Sequence, residues 1–467
     1  MMASYTDITL EEKFVELQKA KKTPENRRPK IQRVAEHIRN REKIKEHYSP
    51  RLVSIGPIHH DNTNLKLGEK YKLMWAVKYA ENANLVPHNL HKKIADNIDD
   101  LKGLFADDVL TLTEKSLKGY RSLDEKLSWI LFVDGCSLLY ILENADFENP
   151  CPMHIKFDQL GIVIMDVLLL ENQLPYHVLK LLRKNENEIE LINIMKNFHN
   201  RCDLWSAPEN TRIWRPPIQK KEEEEEEEEQ VHSVVILIPN EPDESELPTH
   251  LLDLQRTIIL TKSSPKTEGN KANKMNQERS EERMMTYRNI QDLRKVGIKL
   301  ESSATQGPIN IHFSEGWFVA KLTLPEIVVD DSTASTFLNL IAYEMCPDFD
   351  NDYEICSFIS FMDELIDHAE DVRILRLKGV LLNCLGSDED VAHLFNIISN
   401  DLVENRAKYL VVRAKIHERY CNKYKTWIAR GIHTYFNNPW TFIAFVAAII
   451  ALTLTSIQTW FTIKQSK

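Results

Sequence analysis

Three acids stand where an apolar core would exclude them. Asp134 interrupts the run LSWILFVDGCSLLYILE, and Asp166 and Glu171 interrupt GIVIMDVLLLENQLPYHVLKLL. An unpaired buried charge costs several kcal/mol, so each of these carboxyls must find a partner. If they converged they could act as a paired general acid and base, with burial raising one pKa above the other. On one unbroken helix Asp166 and Glu171 would stand about 140° apart and share no face, so convergence would require Asn172 and Pro175 to reshape the segment. Buried, hydrogen-bonded structural acids are the plainer expectation.

Other chemistry-bearing residues are weaker candidates. Cys136 lies two residues from Asp134 and would be a nucleophile only with a stabilised thiolate, whereas an apolar helix favours an inert thiol. His59, His60 and Asp61 have the side-chain types of a zinc site. Adjacent residues rarely aim at one ion, however, and the spaced H-E-x-x-H pattern is absent. The chain contains no G-x-S-x-G, Walker A or G-x-G-x-x-G motif. The residues therefore predict no catalytic, cofactor-binding or metal-binding site. A membrane-tethered hydrolase using Asp134, Asp166 and Glu171 stands as the alternative, as does a soluble or nuclear regulator.

The elements that would position these residues are mostly helical. Gly is only 13 of 467 residues, and hydrophobic residues make up 43%. That composition disfavours repeated tight hairpins and β-sandwich architecture while leaving enough apolar sequence for a core. Ser122-x-x-Glu125 has the form of a capping box ahead of a helix that is apolar on nearly every face and should be central. Pro175 should bend or divide the run from Gly161 to Leu182. Ile309 to Val329 carries β-branched and aromatic residues around Ser314-Glu315-Gly316, which predicts a hairpin. From Ile355 to Ile366 the apolar residues mostly follow helical spacing, and Gly386 followed by Ser387-Asp-Glu-Asp390 marks one helix end and the next helix start.

These signals predict residues 1–30 as a flexible leading segment and 31–184 as the first half of one large helical domain. Residues 185–286 read as a disordered acidic linker, in which Val234 to Ile238 and Leu251 to Leu260 are apolar islands able to dock on the body. Residues 287–430 are the second half. The linker contains an unbroken acidic run, Glu222 to Glu229, without which the net charge of −11 would stand at −3. Bulk charge thus gives no case for nucleic-acid binding. Seven scattered cysteines without a C-x-x-C pair, and no N-x-S/T acceptor, point to a reducing compartment.

The two ends predict topology. No signal-like apolar stretch opens the sequence, whereas Trp440 to Ile463 reads WTFIAFVAAIIALTLTSIQTWFTI without a charge. As a helix that stretch is about 36 Å long, enough to cross a hydrocarbon core of ~30 Å, with Trp440 and Trp460 near its ends. A basic collar precedes it: Arg406, Lys408, Arg413, Lys415, Arg419, Lys423, Lys425 and Arg430 against the single acid Glu418. The positive-inside bias then predicts a single-pass anchor with the body in the cytosol, on the plasma membrane or the endoplasmic reticulum, and a collar touching anionic lipid.

Several strings taken together resemble the plant domain-of-unknown-function 247 family. In the first half they are Tyr48-Ser-Pro50, Val53-Ser-Ile-Gly-Pro57 with His59-His60, Val133-Asp-Gly-Cys136 and Leu170-Glu-Asn-Gln-Leu-Pro175. In the second they are Asp331-Ser-Thr333, Asn339-Leu-Ile-Ala-Tyr-Glu344, Phe361-Met-Asp363, Glu370-Asp-Val372, Leu385-Gly-Ser-Asp-Glu389, Leu394-Phe-Asn396 and Asn438-Pro-Trp440. The resemblance implies a plant protein with one largely helical domain, a variable insertion and a membrane anchor, and it carries over no catalytic residue. Some such proteins are linked to pollen-side recognition in self-incompatibility. The expected partners are therefore membrane lipid and an unidentified protein, with no nucleic acid and no small-molecule substrate.

Overall fold

The computed structural model describes residues 29–41, 44–117, 119–185, 187–202, 247–263, 289–303, 309–316, 319–349, 352–400, 402–405, 407–421 and 439–465, together with Phe14, Val15 and Leu17. The expectations for most of residues 1–30, for the glutamate run and for the island Val234 to Ile238 lie outside them. Helices dominate the described residues, and they pack around two hydrophobic cores.

The first core surrounds α3 (Leu123–Asn144), which follows α1 (Lys66–Asn82) and α2 (Pro87–Asp96). α3 buries residues on every side from Lys126 to Leu142, as its continuous apolar run requires. Its start departs from a closed capping box. Ser122 Oγ accepts the Glu125 N–H at 3.2 Å, but the Glu125 carboxylate reaches one residue further back and accepts the Arg121 N–H at 2.6 Å. Beyond it, the segment containing Pro175 is divided. α4 (Phe157–Asp166) ends at the first acid, a single turn over Leu170–Asn172 carries the second, and α5 (Tyr176–Leu182) starts with Pro175 as its cap. The 100° bend lies before the proline, at the break between Asp166 and Leu170; Pro175, which cannot donate a helical hydrogen bond, separates the Leu170–Asn172 turn from α5.

Two helices lie inside 185–286, the span expected to be a linker. They are α6 (Glu188–Arg201), which buries Leu191, Ile192, Met195 and Phe198, and α7 (Leu251–Ser263), which buries Leu251, Leu252 and Leu254. The docked α7 covers the expected island Leu251 to Leu260, whereas the polar composition around α6 hid a helix whose stability comes from one docked apolar face.

The second core is built from β1 (Ile298–Ser303), β2 (His312–Ser314), β3 (Ala320–Pro325), β4 (Ile327–Val329), α8 (Thr333–Glu344), α9 (Glu354–Leu365), α10 (Ala369–Leu377), β5 (Leu381–Asn383), α11 (Asp388–Ile398) and α12 (Leu410–Cys421). The predicted hairpin is present as β2 antiparallel to β3, with Phe313 opposite Leu322. It is not the whole β structure: β1 joins β3 in parallel to give the order β1-β3-β2, and β4 pairs in parallel with the distant β5. Parallel pairing needs a crossover, so local turn signals cannot reveal it.

The last helix, α13 (Pro439–Gln465), differs from the rest. Ile443–Ile463 and α3 are the described single helices apolar and long enough to cross a membrane, and the bent pair of Phe157–Asp166 with Leu170–Leu182 would be a third only if it counted as one span. The apolar window of α3 is 83% buried in protein, whereas that of Ile443–Ile463 is 0% buried.

Candidate functional site

The three singled-out acids do come together with one element, a strap formed by residues 31–41 and 44–57 that runs between the two cores. Ile31, Val53 and Ile55 pack into the first core, while Val34, Ile38, Ile44 and Tyr48 pack into the second. Beyond the bridge of Ile31 to Phe105 the strap joins no sheet, so its buried backbone N–H groups lack ladder partners and must be satisfied by side chains. The acids supply the acceptors. Glu171 accepts the Val34 N–H at 3.0 Å, both its oxygens take Arg39 Nη1 at 2.8 Å, and His59 Nε2 lies 3.0 Å from Oε2. Asp166 accepts three consecutive N–H groups, from Arg51 at 2.9 Å, Leu52 at 2.7 Å and Val53 at 2.8 Å. Asp134 accepts the Gly56 N–H at 2.9 Å and the fully buried Lys72 ammonium at 2.6 Å. The end of α4, followed by the turn over Leu170–Asn172, is what lets Asp166 and Glu171 address different stretches of the strap.

Burial pushes the Asp134 and Asp166 carboxyls upward, and the groups bonded to them oppose that: the Lys72 ammonium for Asp134, and the backbone N–H groups of Arg51, Val53 and Leu52 for Asp166. Their lone pairs are engaged, and none of the three lines the open cavity at Glu370, Arg373, Arg376 and Asp388. The geometry that would pair two carboxyls around a substrate is replaced by one acid per strap segment. Cys136 has no surface exposure, and burial pushes its thiol up to about 12. His59 and Asp61 face different partners, Glu171 and Lys126 Nζ, the latter at 2.7 Å. Among the described residues no group of three or more His, Cys, Asp or Glu side chains is arranged to hold a metal ion.

Around the strap these bonds form a polar belt, and several further members of it lie in the family-like strings without a role legible from residue type. Asn172 Oδ1 accepts the Ile55 N–H at 2.6 Å, and its Nδ2 donates to the carbonyls of Val53 and Asp166. Asn339 ties the halves together: Oδ1 accepts the Leu170 N–H at 2.8 Å and Nδ2 donates to His47 O at 2.9 Å. Gln173 Oε1 accepts the Leu252 N–H of α7 at 3.1 Å. Glu344 accepts Ile355 N–H, Cys356 N–H and Arg256 Nε at 2.8–3.0 Å. Lys72 was legible in principle, because it shares helical spacing with the buried Gly68, Trp75 and Tyr79.

His250 adds a pH-dependent contact to the same belt. Its Nδ1 accepts the Asp253 N–H at 3.1 Å at the start of α7, its ring packs edge-on to Tyr343 at 4.8 Å, and burial pushes its pKa down to about 4. The folded chain holds it neutral while the unfolded chain titrates near the ordinary 6.5. Its stabilising contribution is therefore complete above about pH 6.5 and declines as pH falls toward 4, where about 3 kcal/mol is lost. Urea midpoints at pH 7, 5 and 4 should fall more steeply for the natural chain than for His250→Asn, which keeps an acceptor but does not titrate. Equal slopes would sink the assignment.

The basic collar is in part structural. Arg413 Nη2 pairs with Glu364 at 2.6 Å and Glu404 at 2.8 Å, Lys408 pairs with Glu354, and Arg419 is 1% exposed. Lys415 is exposed, while Arg406, Lys423, Lys425 and Arg430 lie outside the described residues. Lys408 and Arg413 thus pair with acids of the body and Arg419 is buried in it.

Two helical cores joined by a carboxylate-stapled strap, followed by an exposed apolar helix, define a class of largely helical proteins. The chain belongs to the DUF247 family, described as plant protein of unknown function, whose model matches residues 31–454. It is similar to UPF0481 protein At3g47200 of Arabidopsis thaliana, 26% identical over 432 residues covering 88% of this chain and 82% of the relative. It is also similar to putative UPF0481 protein At3g02645 of the same plant, 24% identical over 479 residues covering 88% and 86% respectively. No solved structure matches the chain.

Proposed function

We propose that this protein is a membrane-anchored platform whose cytosol-facing body binds a protein partner in recognition or signalling and works through its surfaces, with no chemistry of its own. The observation that carries the reading is α13. Among the described residues two single helices are long and apolar enough to span a bilayer; the window of one is 83% buried in the body, and that of the other is 0% buried. Leaving Ile443, Ile450, Leu452, Leu454 and Phe461 more than half exposed to water would be costly, and a hydrocarbon core removes that cost. Its threonine hydroxyls fit the same medium: Thr455, Thr459 and Thr462 each donate to the carbonyl four residues back, at 2.7–2.8 Å, so they need no water. Anchoring would raise the body's effective concentration for partners on the same membrane. The engagement of Asp134, Asp166 and Glu171 with the strap weighs against the hydrolase reading.

The test is alkaline-carbonate extraction and protease protection on membranes carrying the full chain or a chain ending at Arg430. The expected result is a full chain that resists extraction with its body digested from the cytosolic side, and a truncated chain that washes off. A full chain released by carbonate would overturn the anchor and favour a soluble or nuclear regulator.

A further inference from the structure

Helix α1 buries Gly68, Lys72, Trp75 and Tyr79 and turns a different kind of surface outward. Leu67, Leu73 and Val77 are 45%, 51% and 52% exposed, with Met74 half-buried beside them. At 100° per residue they fall on one face together with Lys66, Lys70 and Lys78. Glu81 is the acid on that face, at its C-terminal end, while Glu69 at its margin is drawn 2.8 Å from Lys72. The face extends past the helix: the Tyr71 hydroxyl donates to Gln159 Oε1 at 3.1 Å, which brings up the first turn of α4, where Phe157 is 60% exposed between the exposed Lys156 and Asp158.

We propose that this face is a lipid-docking surface, on which Leu67, Leu73, Val77 and Phe157 enter the headgroup zone of an anionic bilayer while Lys66, Lys70, Lys78 and Lys156 pair with lipid phosphates. The proposal rests on the anchor reading, which holds the body within reach of a bilayer. Charge complementarity selects the occupant. Four lysines against Glu81 and Asp158, with the marginal Glu69 already paired with Lys72, border apolar side chains, the pattern that binds an acidic interface; their stems lie along apolar surface while the ammonium groups stay at headgroup level. Docking on this face would set which side of the body points away from the membrane toward a partner.

The test uses the full chain with Cys151, Cys384 and Cys421 replaced by serine, in vesicles of phosphatidylcholine and phosphatidylserine that carry a headgroup-linked quencher. A fluorophore is placed at Val77→Cys or, as reference, at Leu377→Cys on α10, where the residue is 69% exposed. Expected is quenching at 77 that exceeds that at 377 by about twofold, disappearing in pure phosphatidylcholine and in a Lys66→Glu, Lys70→Glu, Lys78→Glu variant. Equal quenching at both positions in a chain that floats with the vesicles overturns the docking face and leaves the anchor standing. A probe at 77 shielded from aqueous iodide but not quenched from the lipid overturns it in favour of a protein occupant. A chain that does not float overturns the anchor and the docking face together.

Discussion

Asp134→Asn should destabilise the protein by about 2–3 kcal/mol, the cost of taking the buried one of two carboxylates from a buried ammonium. Asparagine keeps an acceptor for the Gly56 N–H, so the loss falls on Lys72. That ammonium has no exposure and is left with Ser54 Oγ at 3.2 Å and the partly exposed Glu69 Oε1 at 2.8 Å. Lys72→Met added to Asp134→Asn removes the poorly compensated charge and should recover most of the lost stability, since a buried pair replaced by groups of similar volume is often close to neutral. A urea titration of the natural chain and the three variants reads this out as a double-mutant cycle. If the two substitutions simply add, Lys72 and Asp134 are independent and the staple does not exist as described. The expected consequence in a cell is low abundance, with the strap loosened between the cores.

Gly68→Ala should be comparably damaging, by about 3 kcal/mol, although it adds a single carbon to a helix and alanine is the better helix former. A Cβ at position 68 would stand 1.9 Å from Leu52 O and 2.9 Å from Leu52 C. Both atoms are backbone, and Leu52 is held from the other side by its N–H on Asp166. Neither the strap nor α1 can yield without breaking the belt. Gly135→Ala in α3 is the internal control: its new carbon meets Leu182 Cδ1 at 2.3 Å, the end of a side chain that can turn away. The ratio of the two losses in urea midpoints is the diagnostic. A Gly68→Ala protein as stable as Gly135→Ala would mean that the strap is not clamped against α1.

Both predictions concern contacts between residues far apart in the chain, and that marks what could be read in advance. Asp134, Asp166 and Glu171 were identifiable because a charge inside an apolar run demands a partner wherever the fold puts it. The partner could not be identified, because it is a backbone: the N–H groups of Val34, Arg51, Leu52, Val53 and Gly56 exist in every sequence and leave no trace in residue type. Arg39 looks like an ordinary surface base until Glu171 takes its guanidinium. The acids beside Lys408 and Arg413 and the burial of Arg419 have no local signature either.

Local sequence by itself determined the helical class, the central helix, the start of α5 after Pro175, the β2–β3 hairpin and the apolar C-terminal helix, but not the 100° bend between Asp166 and Leu170. Each depends on periodicity, turn residues or an uninterrupted apolar run within a few turns of chain. Tertiary structure alone decided that residues 31–41 and 44–57 form a strap between the cores, that Glu188–Arg201 docks, and that β1 and β5 find parallel partners. It also decided that, of the two described single helices apolar enough for a bilayer, the window of α3 is enclosed and that of α13 is not buried. The physical reason is common to all of these: burial and long-range hydrogen bonding are properties of where an element's neighbours lie, and neighbours hundreds of residues apart have no local signature.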